Sequence, residues 1–127
     1  MRRTVVVAVA ALSIAVLGAG MAEAQGGGKL RLRGDCSASS EYDLRVIPRG
    51  ATYEVRWIVD PNKVGDVWNM SVTQNGSTLI SGTRTSDADG EAELRVRNAP
   101  NAAGADSFSA TATNPSTGET CSVQGSI

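Results

Sequence analysis

The side chains that could do chemistry in this chain are few, and of its 127 residues none is histidine. Without imidazole there is no general base of ordinary pKa near neutrality, and Ser-His-Asp, Cys-His and most zinc arrangements fall away. Carboxylates remain. Glu91 and Glu93 stand two apart in an alternating stretch, which would hold them on one strand face about 7 Å apart, a spacing that an acid/base pair could use. Arg95 and Arg97 continue the same face, so a solvated, charge-paired strand is the expectation rather than a catalytic pair. In "TSDADGE", Asp87 and Asp89 precede Gly90 as alternate oxygen ligands precede the turn glycine of a calcium loop. Counting from Thr85, Val96 falls where the twelfth, bidentate ligand is required. That excludes an EF-hand and leaves either a weak calcium turn or a plain hairpin turn.

Two other residue types matter. Cys36 and Cys121 are the only cysteines. In an exported chain the simplest expectation is one structural disulfide, because no histidine is present to make them a metal pair and the compartment is oxidising. The five aromatics are Tyr42, Tyr53, Trp57, Trp68 and Phe108. An aromatic ring serves either as a stacking platform or as core volume, and a domain with so few has little to display. Trp57 lies between Val55 and Val59 on one face and is expected in the core. Trp68 begins a strand just after a loop, so it is the one candidate ligand platform, although Met70 and Val72 continue its face and favour burial.

Export is expected from the first 24 residues. Arg2 and Arg3 form a basic start, "TVVVAVAALSIAVLG" is an uncharged apolar run, and "AEA" (Ala22 to Ala24) offers small residues to a signal peptidase. The apolar run is shorter than the roughly 20 residues that a spanning helix needs. The reading is therefore a signal peptide over 1–24, a flexible mature N-terminus over 25–28 and one domain over 29–127. A soluble, extracellular protein is expected, with no cofactor and no membrane contact after cleavage. The formal net charge of −1 gives no electrostatic reason to seek nucleic acid.

The elements that must position these residues are strands. From Lys29 onward apolar and polar residues alternate with period two, and turn residues interrupt them every eight to twelve positions. "ATYEVRWIVD" is the clearest case, with Tyr53, Val55, Trp57 and Val59 facing one way and Thr52, Glu54, Arg56 and Asp60 the other. "VWNMSVTQ" and "STLISGTRT" flank Asn75 and Gly76, a pair suited to the positive φ angles of a type I′ hairpin turn. "NAPNAAGAD" and "NPSTGE" read as loops. About eight such strands predict an all-β, antiparallel two-sheet sandwich, immunoglobulin-like in the broad sense. The marks of a true immunoglobulin domain are missing, since the position two before Cys121 is Glu119 rather than tyrosine.

Over nearly the whole mature chain, "GDCS…Y.L", "VD.N.VG..W", "NG…GTRT" and "ATNP.TGE.C" resemble a group of small secreted bacterial proteins with one disulfide, which implies location and fold rather than an activity. Locally, "WNMSVTQNGSTL" is similar to a strand-turn-strand of the family 2 carbohydrate-binding modules. That resemblance implies that Trp68 would stack on cellulose or xylan. The expectation for function is a non-catalytic exported protein with a binding or structural role at the cell exterior. Its partner would be a polysaccharide or another extracellular protein. A carbohydrate-binding module using Trp68 and a secreted protease inhibitor presenting one of the two loops are the alternatives.

Overall fold

The computed structural model describes residues 28–127. The expected signal segment, and the expected flexible N-terminus apart from Gly28, lie outside the described residues. Alternation becomes eight strands: β1 Leu30–Asp35, β2 Glu41–Arg49, β3 Thr52–Asp60, β4 Val67–Gln74, β5 Ser77–Thr85, β6 Ala92–Pro100, β7 Ser107–Thr113 and β8 Thr120–Ser126. They form two antiparallel four-stranded sheets, β1-β2-β3-β6 and β5-β4-β7-β8. The first three strands run as a meander within one sheet. In the immunoglobulin constant arrangement the third strand lies in the opposite sheet, so the likeness is to the sandwich and not to that strand order.

The turns form where backbone chemistry permits them. Asn75 and Gly76 both adopt positive φ, 52° and 84°, which is the type I′ geometry expected for the β4–β5 hairpin. Pro48 sits inside β2 opposite Tyr53, but β1 begins at Leu30, opposite Val46, so no β1 residue stands beside the proline. One expected boundary moves. "NAPNAAGAD" is not all loop, because β6 continues to Pro100 through a register shift that brings Ala99 opposite Tyr53 and buries it.

The core lies between the layers and is built by inward parity. Tyr53, Val55, Trp57 and Val59 of β3 meet Trp68, Met70 and Val72 of β4, with Leu44, Leu94, Phe108 and Ala110 filling the same layer. Each large side chain so removed from water contributes about 2 kcal/mol. Tyr53 packs edge-on against Phe108 with ring centroids 5.8 Å apart, and Tyr42 tilts against Trp57 at the same separation. The Cys36–Cys121 disulfide is formed and ties the chain just after β1 to β8 across the two sheets. Among the described residues no helix is long and apolar enough to cross a membrane.

Buried polar groups lock the ends of the sandwich. Asp106 is fully buried; it accepts the Tyr53 hydroxyl at 3.0 Å and the Asn75 side-chain amide at 2.9 Å. Burial, and then the Asp106 hydrogen bond, raise the Tyr53 phenol above its ordinary pKa. At the opposite end Asn114 uses its side-chain oxygen to accept the Ser116 and Thr117 amides, closing the β7–β8 turn.

Candidate functional site: the two outer faces

Trp68 is fully buried. Its inward register, shared with Met70 and Val72, covers both faces of the indole, so it offers no stacking platform to a ligand in this fold. Its ring nitrogen has no hydrogen-bond partner, whereas Trp57 Nε1 donates to the Thr111 carbonyl at 2.9 Å. At the Asp87–Gly90 turn, Asp87 Oδ1 accepts the amides of Asp89 at 2.9 Å and Glu91 at 3.2 Å. That carboxylate oxygen closes the turn itself, and among the described residues no group of three or more acidic, histidine or cysteine side chains is placed to hold a metal ion. Glu93 is paired with Arg56 at 2.6 Å, so it and Glu91 do not form a free carboxylate pair.

What the register brings together instead is two outer faces of opposite character. On the first sheet Arg31 stands opposite Arg45, Arg45 opposite Arg56, and Arg56 opposite Arg95, giving one row of arginines across all four strands. Like charges directly opposite are destabilising, so the row needs anions between its members. Asp43 accepts from Arg31 at 2.9 Å and from Arg45 at 2.8 Å. Glu54 accepts from Arg49 at 2.9 Å and is also paired with Arg95, and Glu93 takes Arg56. Glu54 was expected on the face of β3 opposite to Tyr53 and Trp57. It does face outward, yet its two arginines cover it until only 5% of it is exposed.

The shifts follow these contacts. Burial pushes the Asp43 carboxyl up, but the hydrogen bonds from Arg45 and Arg31 together outweigh it and hold the group below its ordinary value. Hydrogen bonds from Arg49 and then Arg95 lower Glu54. At the far end of the same face Asp35, Glu41 and Asp60 stand in one cross-strand row, and Glu91 lies beside Asp60. They rim an open depression of about 350 Å³ with Ile58 in its lining. There, burial and then the charge of Asp60 raise the Glu91 carboxyl.

The second sheet is the reverse. Arg84 is the only charged residue in β4, β5, β7 and β8. Apart from the exposed Val67, its outward positions form rows of neutral polar groups: Thr83, Asn69, Thr113 and Thr120 in one, Ser81, Ser71, Thr111 and Ser122 in the next. Thr78, Thr73, Ser109 and Gln124 form a third. Neighbouring rows lie about 7 Å apart along the strands, and neighbours within a row about 4.8 Å apart. Thr83 donates its hydroxyl to Asn69 at 2.9 Å, while most of the face is exposed.

Sequence reasoning located none of this patterning as a site, because each face is assembled from four strands whose order and register the one-dimensional alternation does not contain. The available signal was compositional: arginine and acid alternate in β1, β2, β3 and β6, serine and threonine in the other four. No family model, no curated protein and no solved structure matches the chain.

Proposed function

We propose that this is an exported, non-catalytic binding protein of the cell exterior, and that its contact surface is the neutral hydroxyl-bearing face of the β5-β4-β7-β8 sheet. The observation that carries the reading is the segregation of charge. Thirteen strand residues of the first sheet are charged, and the second sheet has Arg84 alone. A flat face of hydroxyl and amide groups makes hydrogen bonds without desolvating fixed charge, and it suits an uncharged, polyhydroxylated partner. Neutral polysaccharide is that chemistry. The disulfide supports an oxidising, extracellular location. The immunoglobulin-like character, in the broad sense of two packed sheets with free outer faces, supports a binding role. Stacking by Trp68 has no part in this reading.

The test is depletion of the purified mature protein by insoluble cellulose, xylan and chitin, at low and high salt. Binding that persists in high salt and is lost in Thr111→Lys, but retained in Arg33→Ser on the opposite sheet, is the expected result. No depletion by any of the three, or depletion that salt abolishes, overturns it.

A second reading has one observation in its favour. The exposed residues 101–105 form a loop held at both ends, by Gln74 Nε2 donating to the Pro100 carbonyl at 2.6 Å and by the buried Asp106. An exposed loop anchored at both ends suits a protease inhibitor, and unchanged rates for a panel of serine and metalloproteases would eliminate it.

A further inference from the structure

The sandwich has four edge strands, and three of them carry features that discourage pairing with another chain. β1 has six residues, and it exposes Arg31, Arg33 and Asp35. β6 exposes Arg95 and Arg97, contains a register shift and ends on Pro100. β5 is broken by a register shift beside Val72, and it places Arg84 at an inward register position opposite Trp68. There Arg84 Nη1 donates to the edge carbonyl of Thr83 at 3.0 Å. Short strands, bulges, prolines and inward-directed charges are the recognised guards of sheet edges. β8, Thr120–Ser126, has no charge and no proline, and it pairs with β7 without a register shift.

The backbone groups that β8 leaves open follow from the hydrogen-bonded pairs at its two ends. Asn114 N donates to the Glu119 carbonyl at 2.9 Å, and Asp106 and Ile127 exchange two bonds of 3.0 Å. Bonded and non-bonded pairs alternate along an antiparallel ladder. Cys121, Val123 and Gly125 therefore bond to β7, while Thr120, Ser122, Gln124 and Ser126 turn their N–H and C=O groups to the open edge. Those of Thr120 are already used: its carbonyl accepts the Ser37 amide at 2.8 Å, and its amide donates to Ser37 Oγ at 2.9 Å. Ser122, Gln124 and Ser126 remain. Leu32 and Ile127, one in β1 and the other directly after β8, are only partly buried.

We propose that two copies of the chain associate by antiparallel pairing of β8 with β8, about a twofold axis at Gln124. Gln124 then meets Gln124 of the second copy and Ser122 meets Ser126, each pair exchanging two backbone hydrogen bonds. Thr120, blocked by Ser37, is not needed. Val123 faces Gly125, and no charge faces a like charge, which a β6–β6 pairing centred on Val96 would not achieve because Arg95 would oppose Arg97. The contact is isologous and joins the two β5-β4-β7-β8 sheets into one continuous sheet. It does not depend on polysaccharide binding.

Sedimentation equilibrium over a series of protein concentrations, with the disulfide intact, tests this. The wild-type chain is expected to dimerise reversibly. Gln124→Lys places a lysine against its own copy at the axis and is expected to weaken dimerisation about tenfold or more, with high salt partly restoring it. Gln124 is exposed, so circular dichroism and the unfolding midpoint of this variant should match the wild type at a concentration low enough for both to be monomeric. Thr83→Lys, on the β5 edge, should leave the dimer intact. A wild-type protein that stays monomeric at its highest soluble concentration overturns the proposal. So does a dimer that Gln124→Lys leaves unchanged, or one that is lost in Thr83→Lys instead.

Discussion

Glu119 holds Ser40 with both carboxylate oxygens: Oε2 accepts the Ser40 amide at 2.8 Å and Oε1 accepts the Ser40 hydroxyl at 2.8 Å. The same Oε2 also accepts the Ala38 amide at 3.1 Å. Both partners lie in the β1–β2 connection, some eighty positions away in sequence, so one side chain beside Cys121 fastens the loop that begins at Cys36. The position two before the second cysteine, where a true immunoglobulin domain carries a tyrosine bonded to nearby backbone, is here filled by an acid that bonds a connection distant in sequence.

Replacing that acid should be costly. Glu119→Ala leaves the buried Ser40 amide and the Ala38 amide without their acceptor, and is expected to lower stability by about 3 kcal/mol. Glu119→Gln keeps one acceptor oxygen and should cost about 1 kcal/mol. Urea unfolding of both variants with the disulfide intact measures the difference, and equal costs would show that the oxygens are not what holds the loop.

The two tryptophans should respond differently to the same substitution. Both are fully buried, but only the Trp57 indole makes a hydrogen bond. Trp57→Phe is expected to cost about 1 kcal/mol more than Trp68→Phe, the net worth of that bond and of the carbonyl left without it. Chemical denaturation of the pair reads this directly.

Acid should weaken the fold through the arginine row. Asp43 and Glu54 titrate below their ordinary values in the folded state, so the ionised form is favoured by folding. Their stabilisation is complete above the ordinary carboxylate range of about 4 to 4.5 and is lost as pH falls through their lower folded values. Glu91 has the opposite sign. Its folded pKa is raised, so its contribution is present below the ordinary value and is lost as pH rises through the raised one. Thermal unfolding across pH should therefore show a steep acid limb that Glu54→Gln flattens. Glu91→Gln should raise the midpoint slightly at neutral pH and leave it unchanged in acid.

Reduction of the disulfide should be a large effect. The two cysteines are 85 positions apart. Closing a loop of that length in the unfolded chain is worth about 4 to 5 kcal/mol in the chain-entropy model. Unfolding midpoints with and without reductant, with the Cys36→Ser and Cys121→Ser double variant as control, give the value. A shift under about 1 kcal/mol would mean that the unfolded ensemble is already held together in some other way.

Much of the fold was legible in one dimension because its causes are local. Period-two alternation put Tyr53, Val55, Trp57 and Val59 on one face, since successive side chains in a strand point to opposite sides, and gave Trp68 the face of Met70 and Val72 without deciding its burial. Asn75 and Gly76 announced their turn because few other residues accept positive φ there. Two cysteines in a chain expected to be exported announced one bond. What remained hidden depends on which strands become neighbours and in what register. That Arg31, Arg45, Arg56 and Arg95 fall into one row, that Glu54 is buried between two arginines on an outward face, and that Ser and Thr from four separate segments share an uncharged surface all follow from cross-strand pairing. So does the bare edge of β8. Pairing is a long-range choice made by burying one set of side chains against another, and the alternation that marks each strand is the same whichever neighbour it takes.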